Sequence, residues 1–223
     1  MNDVDRYAHF SPIFHGIAHE LRNPLQGIMA SVAVLRSRLE NDASSNSFLD
    51  LIQRAVEKMD QIINDLVELS RPITFQSVPC SLPSLVEEAI REIEKEALER
   101  EAKIQLDIGE KLPPIYSDAD CLRKGILAVL RNAVESKVSG ANVVVEVGRD
   151  EEKLVIRIHD NGEGIHPDCF GRIFEPFFST KPKRAGLGLC IAERAVHGHN
   201  GHIKIDSGSG SGTNVSLIFP LVK

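Results

Sequence analysis

From Phe14 to Leu39 the apolar residues Phe14, Ala18, Leu21, Leu25, Ile28, Val32, Leu35 and Leu39 recur in alternating steps of four and three. This is the period of a helix that carries one continuous apolar seam. Cap and turn residues at Asn41–Ser47 (NDASSNS) interrupt it. A second seam of the same period follows through Phe48, Ile52, Ala55, Met59, Ile62, Leu66 and Leu69. Further apolar residues flank both seams: Phe10, Ile13 and Ile17 on the first, Val56, Ile63 and Val67 on the second. Two helices of a hairpin cover one seam each. The extra apolar width predicts a second hairpin, and with it an all-α dimeric four-helix bundle.

Beyond Arg71 the period changes. Arg71–Ser84 holds three prolines and ends the second helix. The expected organisation is a helical hairpin over 1–72, a linker over 73–83 and a second domain over 84–223. In that domain Ser84 to about Arg100 reads as a helix with Glu and Lys on its exposed face, and AKIQLDI as a strand. A helix is expected from about Asp118 to Ser136. NVVVEVGRDEEKLVIRIHDNG reads as two strands joined by a charged hairpin turn. A loop-rich stretch runs from Gly162 to about Gly186, a helix follows to His199, and HIKIDSGSGSGTNVSLIFPL closes the domain as a strand pair. A mixed sheet with helices on one face, an α/β sandwich, fits this order.

Composition narrows the function. A net charge of −6 argues against a nucleic-acid partner, which needs a basic patch. No apolar run approaches the roughly 18–20 residues of a membrane span, and no signal peptide pattern opens the chain. The four cysteines, Cys80, Cys121, Cys169 and Cys190, are far apart and without CxxC spacing. They read as reduced thiols of a cytoplasmic protein.

Chemistry concentrates in a few places. His15–Ile28 (HGIAHELRNPLQGI) is helical in pattern yet carries two histidines, a glutamate, an arginine, an asparagine and a proline. His19 stands one residue past the seam position Ala18. His15, Arg22, Asn23 and Gln26 share its polar stripe. Pro24 cannot donate to the Glu20 carbonyl, so a kink just after His19 is expected. His15 and His19 at i,i+4 could also hold a metal, but no third ligand stands nearby. In the second half, DNGEGI (Asp160–Ile165) follows an apolar strand, GLGL (Gly186–Leu189) opens a helix, GSGT (Gly210–Thr213) precedes the last strand, and LRNAVES places Asn132 on a helix.

Taken in this order, with H-E-x-x-N-P upstream, these stretches resemble the catalytic core of bacterial sensor histidine kinases over nearly the whole chain. HELRNPL resembles the H box, LRNAVES the N box, DNGEGI the G1 box, IFEPFFSTK the F box and GLGL the G2 box. The EPFFSTK and RNAVES forms look closest to the nitrogen-regulation-type branch. The resemblance implies a dimeric hairpin followed by an α/β sandwich ATP-binding domain of Bergerat (GHKL) type. It also implies autophosphorylation at His19 with ATP and Mg2+, then transfer to an aspartate of a response regulator receiver domain.

Each implied role has a physical reading. Asp160 would accept the adenine amine, and Gly162 and Gly164 would let the backbone approach the base. Gly186, Leu187 and Gly188 would present helix-start N–H groups to phosphate, and Lys181 would meet phosphate oxygens. Thr213 would border the site. Asn132 would offer Mg2+ a neutral oxygen. Glu20 would act as general base towards His19, because phosphoryl transfer rests on placement and charge neutralisation. Asn23, one turn beyond His19, would orient water for dephosphorylating the regulator. Phe174, Phe177 and Phe178 would be the apolar part of a mobile lid.

Two positions depart from the pattern. Ala128 stands where the N box usually has a second polar residue, and where gyrase- and MutL-type ATPases carry a water-activating glutamate. Arg184 and Ala185 precede Gly186 where the pattern often begins with a further glycine. The rival readings are a Bergerat-fold ATPase and a pseudokinase scaffold that binds a regulator without catalysis.

Overall fold

The computed structural model describes residues 11–39, 43–70, 78–181 and 184–221. It divides into two compact units, Met1–Pro72 and Ile73–Lys223.

The first unit is a hairpin of two 28-residue helices, α1 (Ser11–Arg38) and α2 (Ala43–Ser70). α1 passes through Pro24 without interruption of its helical span. α2 begins at Ala43, so the second half of the expected loop is its first turn; Asn41 and Asp42 lie outside the described residues. Ala18, Leu25 and Val32 of α1 and Leu49, Val56 and Ile63 of α2 are buried, each set at seven-residue spacing. Ala18, Leu25, Val56 and Ile63 form one cluster, with Met29 and Val67 packed on it. Arg22 bonds to Asp60 (3.3 Å) and Arg36 to Asp50 (2.7 Å), one pair towards each end of the hairpin.

This packing corrects the expected seams. On α1 alternate members (Leu21, Ile28, Leu35) are exposed. On α2 the expected members Phe48, Ile52 and Met59 are exposed, while the supposed flanking residues Val56 and Ile63 face α1. One partner helix covers only one line of an apolar stripe this wide. The rotation of each helix about its own axis selects the line. The side chains of Phe14, Ile13 and Phe10 lie outside the described residues.

The second unit carries a five-stranded sheet in the order β2-β4-β5-β7-β6: β2 (Lys103–Ile108), β4 (Asn142–Asp150), β5 (Lys153–Asp160), β7 (Thr213–Pro220) and β6 (His202–Ser207). β2 and β4 are parallel and the other neighbours antiparallel. Helices α3 (Leu82–Glu99), α4 (Ala119–Val134) and α5 (Gly188–Gly198) pack on the sheet, with α4 against both of the others. Alternation along the strands sends Val143, Val145, Val147, Ile156, Ile158, Leu217 and Phe219 into the core, while Glu146, His159, Lys204 and Asp206 are exposed. This is the expected mixed-sheet α/β sandwich.

Capping explains where two of the helices start. The Ser81 hydroxyl accepts from Ser84 N (3.4 Å) with Pro83 in the first turn of α3, and Asp118 Oδ1 accepts from Cys121 N (3.1 Å) ahead of α4. Val78–Cys80, inside the stretch expected as linker, forms strand β1 against β3 (Ile115–Ser117). Residues 71–77 lie outside the described residues. No helix among the described residues is long and apolar enough to cross a membrane.

Candidate functional site

Asp160 is the last residue of β5, and strand alternation turns it inward, towards the helices. It is buried, and in register it faces Val143 on one side and Thr213 on the other. Its Oδ1 accepts from Gly162 N at 2.8 Å. Burial raises the Asp160 carboxyl above its ordinary value; the Gly162 N–H, the nearby Ser136 hydroxyl and the Lys181 charge work against that rise. A Cβ at position 162 would stand 2.6 Å from Ser136 Oγ and 2.7 Å from Asp160 Oδ1, so only glycine fits there.

The turn after Asp160 interlocks with the turn before β7. Gly164 (φ +72°) presses on the backbone of Gly208 and Gly212, and Gly212 (φ +76°) lies against the Asp160 carbonyl. Glu163 O accepts from Gly210 N at 2.6 Å. Ser207 Oγ accepts from Ile165 N (2.9 Å), donates to Gly212 O (2.8 Å) and lies 3.0 Å from Thr213 Oγ1. Thr213 therefore belongs to this interlock, one strand away from Asp160.

Asn132 lies in the last turns of α4, half-buried. Gly188, the first residue of α5, sits against its side chain: a Cβ there would be 3.3 Å from Asn132 Nδ2 and 3.5 Å from Oδ1. The Asn132 carbonyl accepts from Lys181 Nζ at 3.2 Å. Burial lowers the Lys181 amine from its ordinary value, against the attraction of Asp160 and Glu163. Leu187 is buried at the start of α5, and no side chain caps that helix. A helix start of this kind carries the positive end of the helix dipole, which favours an anion. Gly186 (φ +69°) lies against the Phe178 carbonyl, and its own carbonyl accepts from Phe177 N at 3.1 Å.

Asp160, Gly162, Asn132, Lys181 and Gly188 thus meet around one place at the ends of β5 and α4 and the start of α5. Ala128, one turn before Asn132, is buried, so a single amide serves this face of α4. Arg184 is ion-paired with Glu135. Phe177 is exposed, while Phe174 and Phe178 are half-buried, Phe178 beneath the Arg172 guanidinium (4.3 Å). Sequence reasoning did not single out Ser136, Glu135, Ser207 or Gly212. Ser136 stands at i+4 from Asn132, a helical signal that could have found it. Ser207 and Gly212 are brought in only by the turn-to-turn packing.

In the hairpin unit His19, Glu20 and Asn23 are all exposed on α1. Arg22, between them, is tied across the hairpin to Asp60 and Asn64. The stripe is held to α2 at this level while His19 stays open to solvent.

Two family models match the chain in tandem. Residues 13–74 match the His Kinase A (phospho-acceptor) domain, and residues 117–223 match the histidine kinase-, DNA gyrase B- and HSP90-like ATPase. The signal transduction histidine-protein kinase AtoS of Escherichia coli (strain K12) is 31% identical over 222 residues, 99% of this chain and 36% of AtoS. The chain spans less than half the length of the curated relatives it matches. Full-length ShkA, crystallised with AMPPNP, superposes with a TM-score of 0.78 at 24% identity, covering 95% of this chain and 46% of that one. Histidine kinase ThkA in complex with response regulator protein TrrA gives 0.69 at 18% identity, over 97% of this chain and 63% of that one. With a phospho-acceptor domain carrying an exposed H-E-x-x-N stripe and an ATPase domain carrying the Asp160–Asn132 site, the chain belongs to the sensor histidine kinases as their catalytic core.

Proposed function

We propose that this chain is an ATP-dependent protein histidine kinase of a two-component system. It phosphorylates itself on His19 and passes the phosphoryl group to an aspartate of a response regulator receiver domain. The observation that carries this reading is the meeting of Asp160, Asn132, Lys181 and Gly188 at one site, in a chain that also exposes His19 beside Glu20. Asp160 accepts the adenine amine. The open start of α5 and Lys181 take the phosphates. Among the described residues no group of three His, Cys, Asp or Glu side chains could hold a metal. Mg2+ needs few protein oxygens when phosphates supply others. Asn132 would be its protein ligand, and the ion would neutralise charge on the transferring phosphoryl group.

A ring nitrogen of His19 attacks the γ-phosphorus, the bond to the ADP oxygen breaks, and the ring proton passes to Glu20. In the second step the P–N bond breaks as an aspartate oxygen of the regulator takes the phosphoryl group. The exposed apolar lines of α1 and α2 support a homodimer through the hairpin, and a need for ATP supports work in the cytoplasm. Incubation with γ-labelled ATP tests the reading. An acid-labile, base-stable label on the protein is expected. Free phosphate without protein label would favour a Bergerat-type ATPase, and neither signal would favour a scaffold.

Asn23, exposed one turn from His19, would hold water for the reverse activity, loss of phosphate from the regulator. Asn23→Ala should keep labelling at His19 and lengthen the lifetime of the phosphorylated regulator. Equal lifetimes with both forms would remove Asn23 from this role.

A further inference from the structure

Glu135 closes α4 three residues after Asn132, and its carboxylate is only 3% exposed. A buried carboxylate requires partners. Arg184 forms an ion pair with it, and Arg100 Nη2 stands 3.9 Å away. Glu96 joins the group, 3.2 Å from Arg131 Nε, 3.7 Å from Arg100 Nε and 3.9 Å from Arg184 Nη2. Arg184 alone of these comes from the segment between β5 and α5. It lies two residues before Gly186 and three after Lys181, whose amine bonds to the Asn132 carbonyl. Two cations of this segment are therefore seated on the last turn of α4, one on a carbonyl and one on a carboxylate.

The two sides of the Arg184–Glu135 pair differ. The Arg184 side chain is 34% exposed, so it can leave; the carboxylate cannot, and it keeps Arg100 if Arg184 goes. A polyphosphate at Gly186–Gly188 brings several negative charges close to a guanidinium suited to bidentate phosphate contact. We infer that Arg184 is an exchangeable latch: it holds its segment to Glu135 when no nucleotide is bound, and moves to the polyphosphate when one arrives. Glu135 is then a positioning residue that sets nucleotide affinity by competing for Arg184. The second half of this inference rests on the nucleotide reading above; the first half does not.

The test uses the full chain carrying Arg184→Gln, Glu135→Gln or Arg100→Gln, with circular dichroism to establish folding. Without nucleotide, Arg184→Gln and Glu135→Gln should each speed amide hydrogen exchange of Phe177–Lys181 and Arg184–Leu187 by about tenfold. Their effects on ATP affinity should be opposite. Arg184→Gln should weaken binding about tenfold by removing a phosphate contact. Glu135→Gln should tighten it several-fold by releasing the arginine. Arg100→Gln, at a partly exposed position, leaves Arg184 as the partner of Glu135; it should slow the exchange and weaken ATP binding, and it serves if Glu135→Gln does not fold. Unchanged exchange in Arg184→Gln overturns the latch. ATP affinity moving in the same direction in Arg184→Gln and Glu135→Gln, or unchanged in Arg100→Gln, overturns the competition. A wild-type chain that binds no ATP overturns the nucleotide reading and the change of partner with it, while the exchange measured without nucleotide still decides the latch.

Discussion

At the scale of single residues, Asp160 is a buried carboxylic acid in the proposed nucleotide site. Burial raises its carboxyl above the ordinary 3.8, so the folded chain holds that proton more tightly than the unfolded chain. Stability is then lost as pH rises from 3.8 through the raised value, and at neutral pH the ionised form is a cost to the fold. Asp160→Asn should raise the midpoint of thermal unfolding at pH 7. The same change should weaken ATP binding by roughly 1.5–3 kcal/mol, about ten- to over a hundredfold, because a charge-assisted hydrogen bond to the base is lost. Calorimetric melting and titration read the two effects; unchanged affinity would take Asp160 out of the site. His19 is exposed and free of such a conflict. His19→Gln should abolish the acid-labile label while shifting stability by no more than about 0.5 kcal/mol. Labelling that survives would move the phosphoacceptor elsewhere.

At the scale of elements, α4 is held to α5 by close approach and by one histidine. A Cβ on Gly125 would come within 2.6 Å of Ala195 Cβ. Gly125→Ala would gain about 1 kcal/mol of helix propensity but force the helices apart. A net destabilisation of about 1–2 kcal/mol is expected by urea unfolding, because overpacking outweighs the gain. His199 is buried at the end of α5: its Nε2 accepts from Asp118 N at 2.9 Å, and its Nδ1–H donates to Ala195 O at 2.6 Å. It thereby ties the start of α4 to α5. Burial lowers its value from the ordinary 6.5, against the Ala195 carbonyl and the Asp118 charge. Below 6.5 the unfolded chain binds more protons, so stability contributed by neutral His199 is full above that pH and is lost as pH falls from 6.5 through the lowered folded value. Urea midpoints should drop between pH 7.5 and 5.5, and His199→Gln should flatten that drop. An equal slope in the variant would show that other groups carry it.

At the scale of the whole molecule, the hairpin leaves Leu21, Ile28, Leu35, Ile52 and Met59 exposed along both helices, more apolar surface than a solitary hairpin normally carries. A second copy would cover them in a four-helix bundle. Ile28→Glu combined with Met59→Glu should dissociate the chain to a monomer in sedimentation while its helical circular dichroism persists. Leu25→Glu, which puts a charge inside the hairpin, should instead unfold it. A wild-type chain that sediments as a monomer would sink the dimer.

The type of the longer elements followed from local pattern: seams of 3.5 residues read as helices, and the apolar run LVIRIH beside a charged turn read as a strand, which packing then buried on both faces at Leu154–Ile156. The polar stripe of His19, Arg22, Asn23 and Gln26 was legible for the same reason, since spacing along one element sets direction on that element, whereas Glu20 and Asp160 were marked by the resemblance of their motifs. What spacing cannot supply is the partner. Val56 and Ile63 face α1 instead of Ile52 and Met59 because two helices rotate to their best mutual packing, and either apolar line satisfies the pattern. Val78–Cys80 became a strand only because β3 offers it an edge. Ser207 reached Ile165 across 42 residues, Lys181 reached Asn132 across 49, and Arg184 reached Glu135 across a comparable stretch. Such contacts form when the sheet and its helices bring distant turns together. The sequence determined which chemical groups this protein carries and on which faces; the tertiary structure alone decided which of them touch, because that depends on packing between segments with no local bond to enforce it.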